Sequence, residues 1–175
     1  IVANTDNSVG RAKRNLDKFR ERQVDGLVIA TARRQDELVA DCRTDATPFV
    51  LAVRSTTDIG VSSVVSDEIM GGSMIISHLA QLGHKNIAYV AGPQFLSTGF
   101  ERYQGYLQGL ARVGLKANPD LWAEGDAFTE EEGRRAANKI LATQEKLTAI
   151  VAANDLMALG CYDELMSKGL RCPQD

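Results

Sequence analysis

The sequence is short of the groups on which most enzyme signatures are built. Its 175 residues include two histidines, three cysteines and one tryptophan. Cys42, Cys161 and Cys172 are odd in number and far apart, with no C-x-x-C spacing. That argues against a disulfide framework or thiolate metal site and fits a reduced, cytoplasmic compartment. His78 and His84 flank Gly83 near an expected helix end, where a histidine beside the helix dipole is an ordinary structural device. No cysteine or carboxylate cluster gives them ligand spacing, so no metal is expected. The motifs G-x-S-x-G, G-x-x-x-x-G-K-[ST], H-E-x-x-H and a post-strand G-x-G-x-x-G are all missing. Neither a catalytic residue nor a cofactor is assigned.

Long apolar runs are missing too. No stretch approaches the roughly 18 consecutive apolar residues of a membrane helix, and no membrane partner is expected. The opening IVANTDNSVG has neither the basic nor the apolar segment of a secretory signal. Positive charge is not in excess: 20 Lys and Arg face 23 Asp and Glu, a net charge of −3. A surface that held nucleic acid by its phosphates would show a basic excess on some face. The densest basic group, Arg11, Lys13, Arg14, Lys18, Arg20 and Arg22, is interrupted by Asp17 and Glu21 and reads as a solvated helix face.

What is present is an ordinary soluble composition, 44% hydrophobic and 25% charged, enough for one domain or two lobes sharing one architecture. Short β-rich runs fall at residues 1–3, 24–30, 49–53, 63–65, 86–91 and 148–152. Between them lie apolar stripes of helical period: Ala12, Leu16 and Phe19; Ile75, Ile76, Leu79 and Leu82; Phe100, Tyr103, Leu107 and Leu110; Leu156, Leu159, Tyr162 and Met166. Gly83, Gly114 and Gly169 stand where helices should stop, and Asn154 with Asp155 stands where one should start. Strand–helix alternation with continuously apolar strands predicts an α/β protein with parallel sheets covered on both faces by helices. The irregular stretch around residues 53–65 is the expected passage between lobes. The chain opens inside an expected strand and closes just after an expected helix, where a βα fold should supply another strand, so a piece of a larger domain is expected.

In open α/β sheets ligands sit beyond the carboxyl ends of the strands. The residues expected there are Asn4 to Asp6, Ala30 to Arg33, Arg54, Ser66 and Asp67, the loop from Gly92 to Arg102, and Asn154 with Asp155. The set is rich in hydrogen-bonding groups and poor in nucleophile–base pairs, which suits a small polar ligand held without covalent chemistry. The pair Gly71–Gly72 could cradle an anion but reads more simply as a packing feature.

The run HLAQLGHKNIAYVAGP at residues 78–93 resembles the effector-binding domain of the lac-repressor/galactose-repressor family of bacterial transcription regulators. VDGLVIA at 24–30, SDEIMGG at 66–72, Arg102 followed by GYLQGL, GDAFTEEEG at 125–133, TAIVAANDLMALG at 148–160 and GLRCPQD at 169–175 agree in order. The resemblance covers essentially the whole chain. It implies a type I periplasmic-binding-protein-like pair of lobes with effector in the cleft between them, residues 1–65 forming part of the N-terminal lobe and 66–175 most of the C-terminal one. Against the family pattern the sequence lacks the helix-turn-helix, the first strand and helix of the N-terminal lobe, and the late strand with an effector-contacting Asp. DNA would thus be bound only through a module absent from these residues.

Carried over by position, Arg102 matches the arginine that grips effector oxygens, its planar fork suiting adjacent hydroxyls or a carboxylate. Asn154 matches a cleft asparagine able to donate and accept at once, a role compatible with a helix cap. Phe128 matches an aromatic packed on the effector, in an alignment shifted by Ala127. Asp67 matches the first member of a D-N pair in which Glu68 replaces the Asn; Ser66 precedes it. Leu96 and Thr98 fall on loop positions that tune effector choice. Val53 replaces the usual Asp before Arg54. Leu156, Leu159 and Tyr162 resemble part of a homodimer seam, the alternative being that they face their own sheet.

The implied function is that of a non-enzymatic sensor: a small effector, expected to be a sugar or derivative, closes the lobes and changes dimer geometry and DNA binding. The alternative on the same fold is a solute-binding protein of a sugar transporter, which would carry a signal peptide. An α/β enzyme would need an acid–base pair, and the sequence offers only Asp67 and Glu68.

Overall fold

The computed structural model describes residues 1–45, 47–143 and 145–175. The chain divides into two compact units, Ile1–Ser66 with Phe95–Ser97, and Asp67–Gln94 with Thr98–Asp175. In the first, α1 (Val9–Glu21) is capped by the Ser8 hydroxyl and buries Leu16. It is followed by β1 (Leu27–Ile29), α2 (Glu37–Thr44), β2 (Phe49–Ala52) and β3 (Ser63–Val64). The strands run parallel in the order β1-β2-β3, with Leu16, Leu38 and Cys42 packed on one side and Ala32, Val39 and Leu51 forming a second cluster. The sequence expectation is corrected at residues 1–3, which form no strand and are exposed. A strand is stabilised by pairing with a neighbour, and among the described residues none pairs there. Val53, just past β2, has φ 68°, a conformation that strains a β-branched residue.

The second unit begins with α3 (Glu68–Gln81), then β4 (Ile87–Ala91), α4 (Ser97–Arg112), a short 3-10 turn at Pro119–Leu121, β5 (Trp122–Glu124), α5 (Glu130–Leu141), β6 (Ala149–Ala152) and α6 (Asp155–Ser167). Its parallel sheet has the order β5-β4-β6. β4 lies in the middle with all its residues buried, as its unbroken apolar run IAYVA requires. After β4 the chain steps to one side for β5 and then to the other for β6. That reversal leaves the carboxyl ends of β4 and β6 side by side and open to a ligand.

Helices α3 and α4 approach closely because glycines line their contact. A Cβ added at Gly72 would stand 2.8 Å from the Arg102 carbonyl oxygen, and one at Gly105 2.5 Å from that of Ile69. This crossing sets the first turn of α3 against the first turns of α4. Gly83 ends α3 with φ 92°, a left-handed value that a glycine adopts freely.

The fourth apolar stripe is corrected. Leu156, Leu159, Tyr162 and Met166 are exposed, and α6 buries Met157, Gly160, Cys161 and Glu164 instead. Both sets have helical spacing. The second faces α5, where a Cβ on Gly160 would overlap the Glu130 carbonyl and one on Gly133 would overlap the Met157 backbone. Close backbone contact won over large side chains. On α3, likewise, Ile76 is fully buried while Ile75 and Leu82 are exposed.

Candidate effector site

Alongside β6, between the first half of α3 and the start of α6, the second unit has a hollow of about 700 Å³, which β4 reaches only through Tyr89 and which Phe128 does not line. Glu68, Tyr89, Arg102, Asn154 and Asp155 supply its polar lining. Each is placed by a recognisable local device. Asn154 follows β6 and caps α6, its Oδ1 accepting from the Met157 amide at 3.0 Å, which leaves its amide nitrogen for other partners. Glu68 lies in the first turn of α3, where a carboxylate is favoured by the helix dipole. Arg102 lies in the second turn of α4.

Arg102 is held by three hydrogen bonds to two groups. Its Nε and Nη2 donate to the two oxygens of Glu68, at 2.7 and 3.0 Å, and its Nη1 donates to the Ala153 carbonyl at 2.7 Å. The pair is bidentate and half-sheltered, with side-chain exposures of 31% for Arg102 and 14% for Glu68. The Glu68 hydrogen bonds raise the Arg102 pKa further; burial opposes them. The ring of Phe128 lies against Gly92, where a Cβ would overlap it, and its centroid is 5.9 Å from the guanidinium carbon of Arg102, near the limit of a cation–π contact.

The structure therefore brings Arg102, Asn154 and Phe128 to one end of one sheet and does not gather the other named residues with them. Asp67 caps α3, its Oδ1 accepting from the Met70 amide at 2.8 Å, and lines a separate depression with Ile69, Met70 and Arg112. Thr98 is buried in the first turn of α4. Leu96 is buried and groups with the first unit, and Ser66 is exposed. In that unit, Phe95 accepts from the Arg34 amide at 3.0 Å and stacks under Arg33 at 4.9 Å, while Ser97 Oγ accepts from the Ser55 amide at 2.9 Å. Arg54 Nη1 donates to Asn7 Oδ1 at 2.8 Å, and burial followed by the neighbouring Arg33 lowers its pKa. Leu156, Leu159 and Tyr162 are 49, 55 and 46% exposed.

Two participants lie outside the sequence assignment. Glu68 appears there only as a departure from a pattern; its pairing with Arg102 spans 34 positions and leaves no periodic trace. Tyr89 reads as core within β4. It is buried and stacks on Tyr106 with ring centroids 4.8 Å apart. The Tyr106 hydroxyl donates to the Ile87 carbonyl at 2.9 Å, whereas the Tyr89 hydroxyl has no hydrogen-bond partner among the described residues. A tyrosine in an otherwise aliphatic, doubly covered strand is the available signal, since a buried phenol usually finds a partner. Burial raises its pKa strongly, so the group stays a neutral phenol.

Among the described residues no group of three or more His, Cys, Asp or Glu side chains is arranged to hold a metal ion, and no helix is long and apolar enough to cross a membrane. The geometry gathers hydrogen-bond donors and acceptors beside the end of β6 in an α/β domain with parallel sheets.

The comparisons give that class a family. Residues 2–175 match the model of periplasmic binding proteins and the sugar-binding domain of the LacI family, and the chain belongs to that family. It is 33% identical to the HTH-type transcriptional repressor PurR of Pasteurella multocida (strain Pm70), across all of this chain and 52% of the repressor. It is 29% identical to the HTH-type transcriptional repressor CytR of Escherichia coli (strain K12), over 91% of this chain and 47% of that protein. The chain thus spans about half the length of these curated relatives. Among solved structures, a transcriptional regulator CelR–cellobiose complex superposes with a TM-score of 0.85 at 32% identity, covering 94% of this chain and 51% of that one. The transcription regulator CcpA of Lactococcus lactis gives 0.89 at 28% identity, over 100% and 64%.

Proposed function

We propose that the chain is the effector-binding and dimerisation part of a cytoplasmic transcriptional repressor, and that it holds a small polyhydroxylated metabolite, a sugar or sugar derivative, without transforming it. The observation that carries the reading is the convergence of Arg102 and Asn154 on one hollow beside the carboxyl end of β6. A guanidinium and an amide there offer the mixed donors and acceptors that vicinal hydroxyls need. Family membership and the repressor relatives support a regulator over a transporter's solute-binding protein or an enzyme. Residues 1–65 and 66–175 are the proposed lobes, and DNA would be reached through a module outside these residues. Of the remaining candidates, Phe128 is proposed to flank the ligand, with Asp67 and Thr98 outside the hollow in the same unit, and Leu96 and Ser66 are proposed as effector contacts of the first unit.

The test is a thermal-shift screen of the protein as its gene encodes it, against neutral mono- and disaccharides. At least one sugar should raise the melting temperature in the wild type, and that shift should vanish in Asn154→Ala. A shift unchanged by Asn154→Ala, or no shift from any sugar, contradicts the reading.

The exposed apolar row Leu156, Leu159, Tyr162 and Met166 along α6 is proposed as part of a contact with a second copy of the chain, since contiguous apolar surface of this kind favours association. Leu159→Arg should convert a dimer to monomer in sedimentation velocity. A sedimentation coefficient that does not move removes α6 from the interface.

A further inference from the structure

Arg102 is not a free cation. Both oxygens of Glu68 are engaged with it, at 2.7 and 3.0 Å, and the Ala153 carbonyl takes a third bond at 2.7 Å. The polar lining of the hollow carries one positive charge, on Arg102, against the carboxylates of Glu68 and Asp155. The other polar groups, Asn154 and the buried hydroxyl of Tyr89, are neutral. A carboxylate or phosphate brought to Arg102 would meet Glu68 first. It would have to displace a bidentate partner and leave two anions side by side in a sheltered site, which is unfavourable. A hydroxyl imposes no such exchange. The guanidinium keeps N–H groups outside the three bonds, and the Glu68 oxygens keep lone pairs.

From this arrangement we infer that Glu68 acts as a charge filter on the ligand site: it neutralises Arg102 so that this end of the site accepts a neutral hydroxyl-bearing group and rejects an anionic one. The inference rests on the functional reading above and sharpens it, since the guanidinium alone would accept either class. It concerns only the portion of the ligand held by the second unit.

Inorganic phosphate is a probe that needs no knowledge of the natural ligand. The protein as encoded by its gene is titrated with phosphate against chloride at matched ionic strength, and binding is read from the melting temperature. Glu68→Gln keeps the side chain's shape and an oxygen for Arg102 while removing the charge. The expected result is that Glu68→Gln binds phosphate at least about tenfold more tightly than wild type, and that the gain disappears in the double variant Glu68→Gln/Arg102→Gln, which removes the positive charge. A Glu68→Gln variant no more responsive than wild type overturns the filter, as does a gain that survives loss of the guanidinium. The underlying reading is judged separately, by whether the neutral-sugar shift depends on Asn154. A filter can thus fail while the site stands, and a site can fail while Glu68 still shields Arg102.

Discussion

Replacing Arg102 with alanine is expected to weaken sugar binding strongly and to lower stability in the same variant. The guanidinium would contribute charge-assisted hydrogen bonds to ligand hydroxyls, each worth about 1.5–3 kcal/mol, so its loss should weaken affinity by roughly tenfold to a hundredfold. The stability loss has a different origin. Glu68, whose side chain is 14% exposed, would be left as a sheltered carboxylate without its cation, and the Ala153 carbonyl would lose its side-chain donor. Breaking a fully buried pair costs about 3–5 kcal/mol; with Arg102 at 31% exposure, about 1–3 kcal/mol is expected, a fall of several degrees in Tm. The double variant Arg102→Ala/Glu68→Gln should recover part of the stability and none of the lost affinity. Calorimetric unfolding and a sugar titration on the same samples separate the two effects. Equal loss of stability in the single and double variants would contradict the assigned pairing.

The second large effect is structural. Gly160→Val should destabilise the second unit by about 3 kcal/mol or more, because overpacking a closed contact forces backbone to move. A Cβ there would overlap the Glu130 carbonyl and stand 2.6 Å from the Arg134 amide nitrogen. The melting temperature should fall by roughly 10 °C. Gly71→Ala is the matched contrast, since nothing lies within 4 Å of its added Cβ and alanine favours a helix interior by about 1 kcal/mol. Similar melting temperatures for Gly160→Val and wild type would mean that α5 and α6 do not approach as closely as described.

These two positions also show what the sequence made legible. The strand runs around β2, β4 and β6 were readable because a doubly covered parallel strand must be apolar throughout, and the parallel α/β class follows from their alternation with helices. β5 was not, because Trp122–Glu124 is three residues long and ends in a charge. Nor was α5, whose buried face is Gly133, Ala136, Ala137 and Ile140 and so carries little hydrophobic contrast. Its capping signal, Thr129 with Glu132 three positions later, was the available clue. On α6 two stripes of equal spacing competed, and only the partner helix decides which is buried. At the site, Arg102 and Asn154 stand at strand and helix ends that the topology brings together. Asp67 was equally prominent by position, but its carboxylate is used within its own helix cap. The Glu68–Arg102 pair connects helices far apart in sequence, so it emerges only when the glycine-lined crossing of α3 on α4 is known.

The most direct measurement is a crystal structure of the protein with the sugar that gives the largest thermal shift. The account predicts an intact, chemically unaltered sugar with hydroxyl oxygens within hydrogen-bond distance of the Arg102 guanidinium and the Asn154 amide, and the Glu68–Arg102 pair preserved. Density for the sugar elsewhere, or for a cleaved or modified product against these residues, would contradict it.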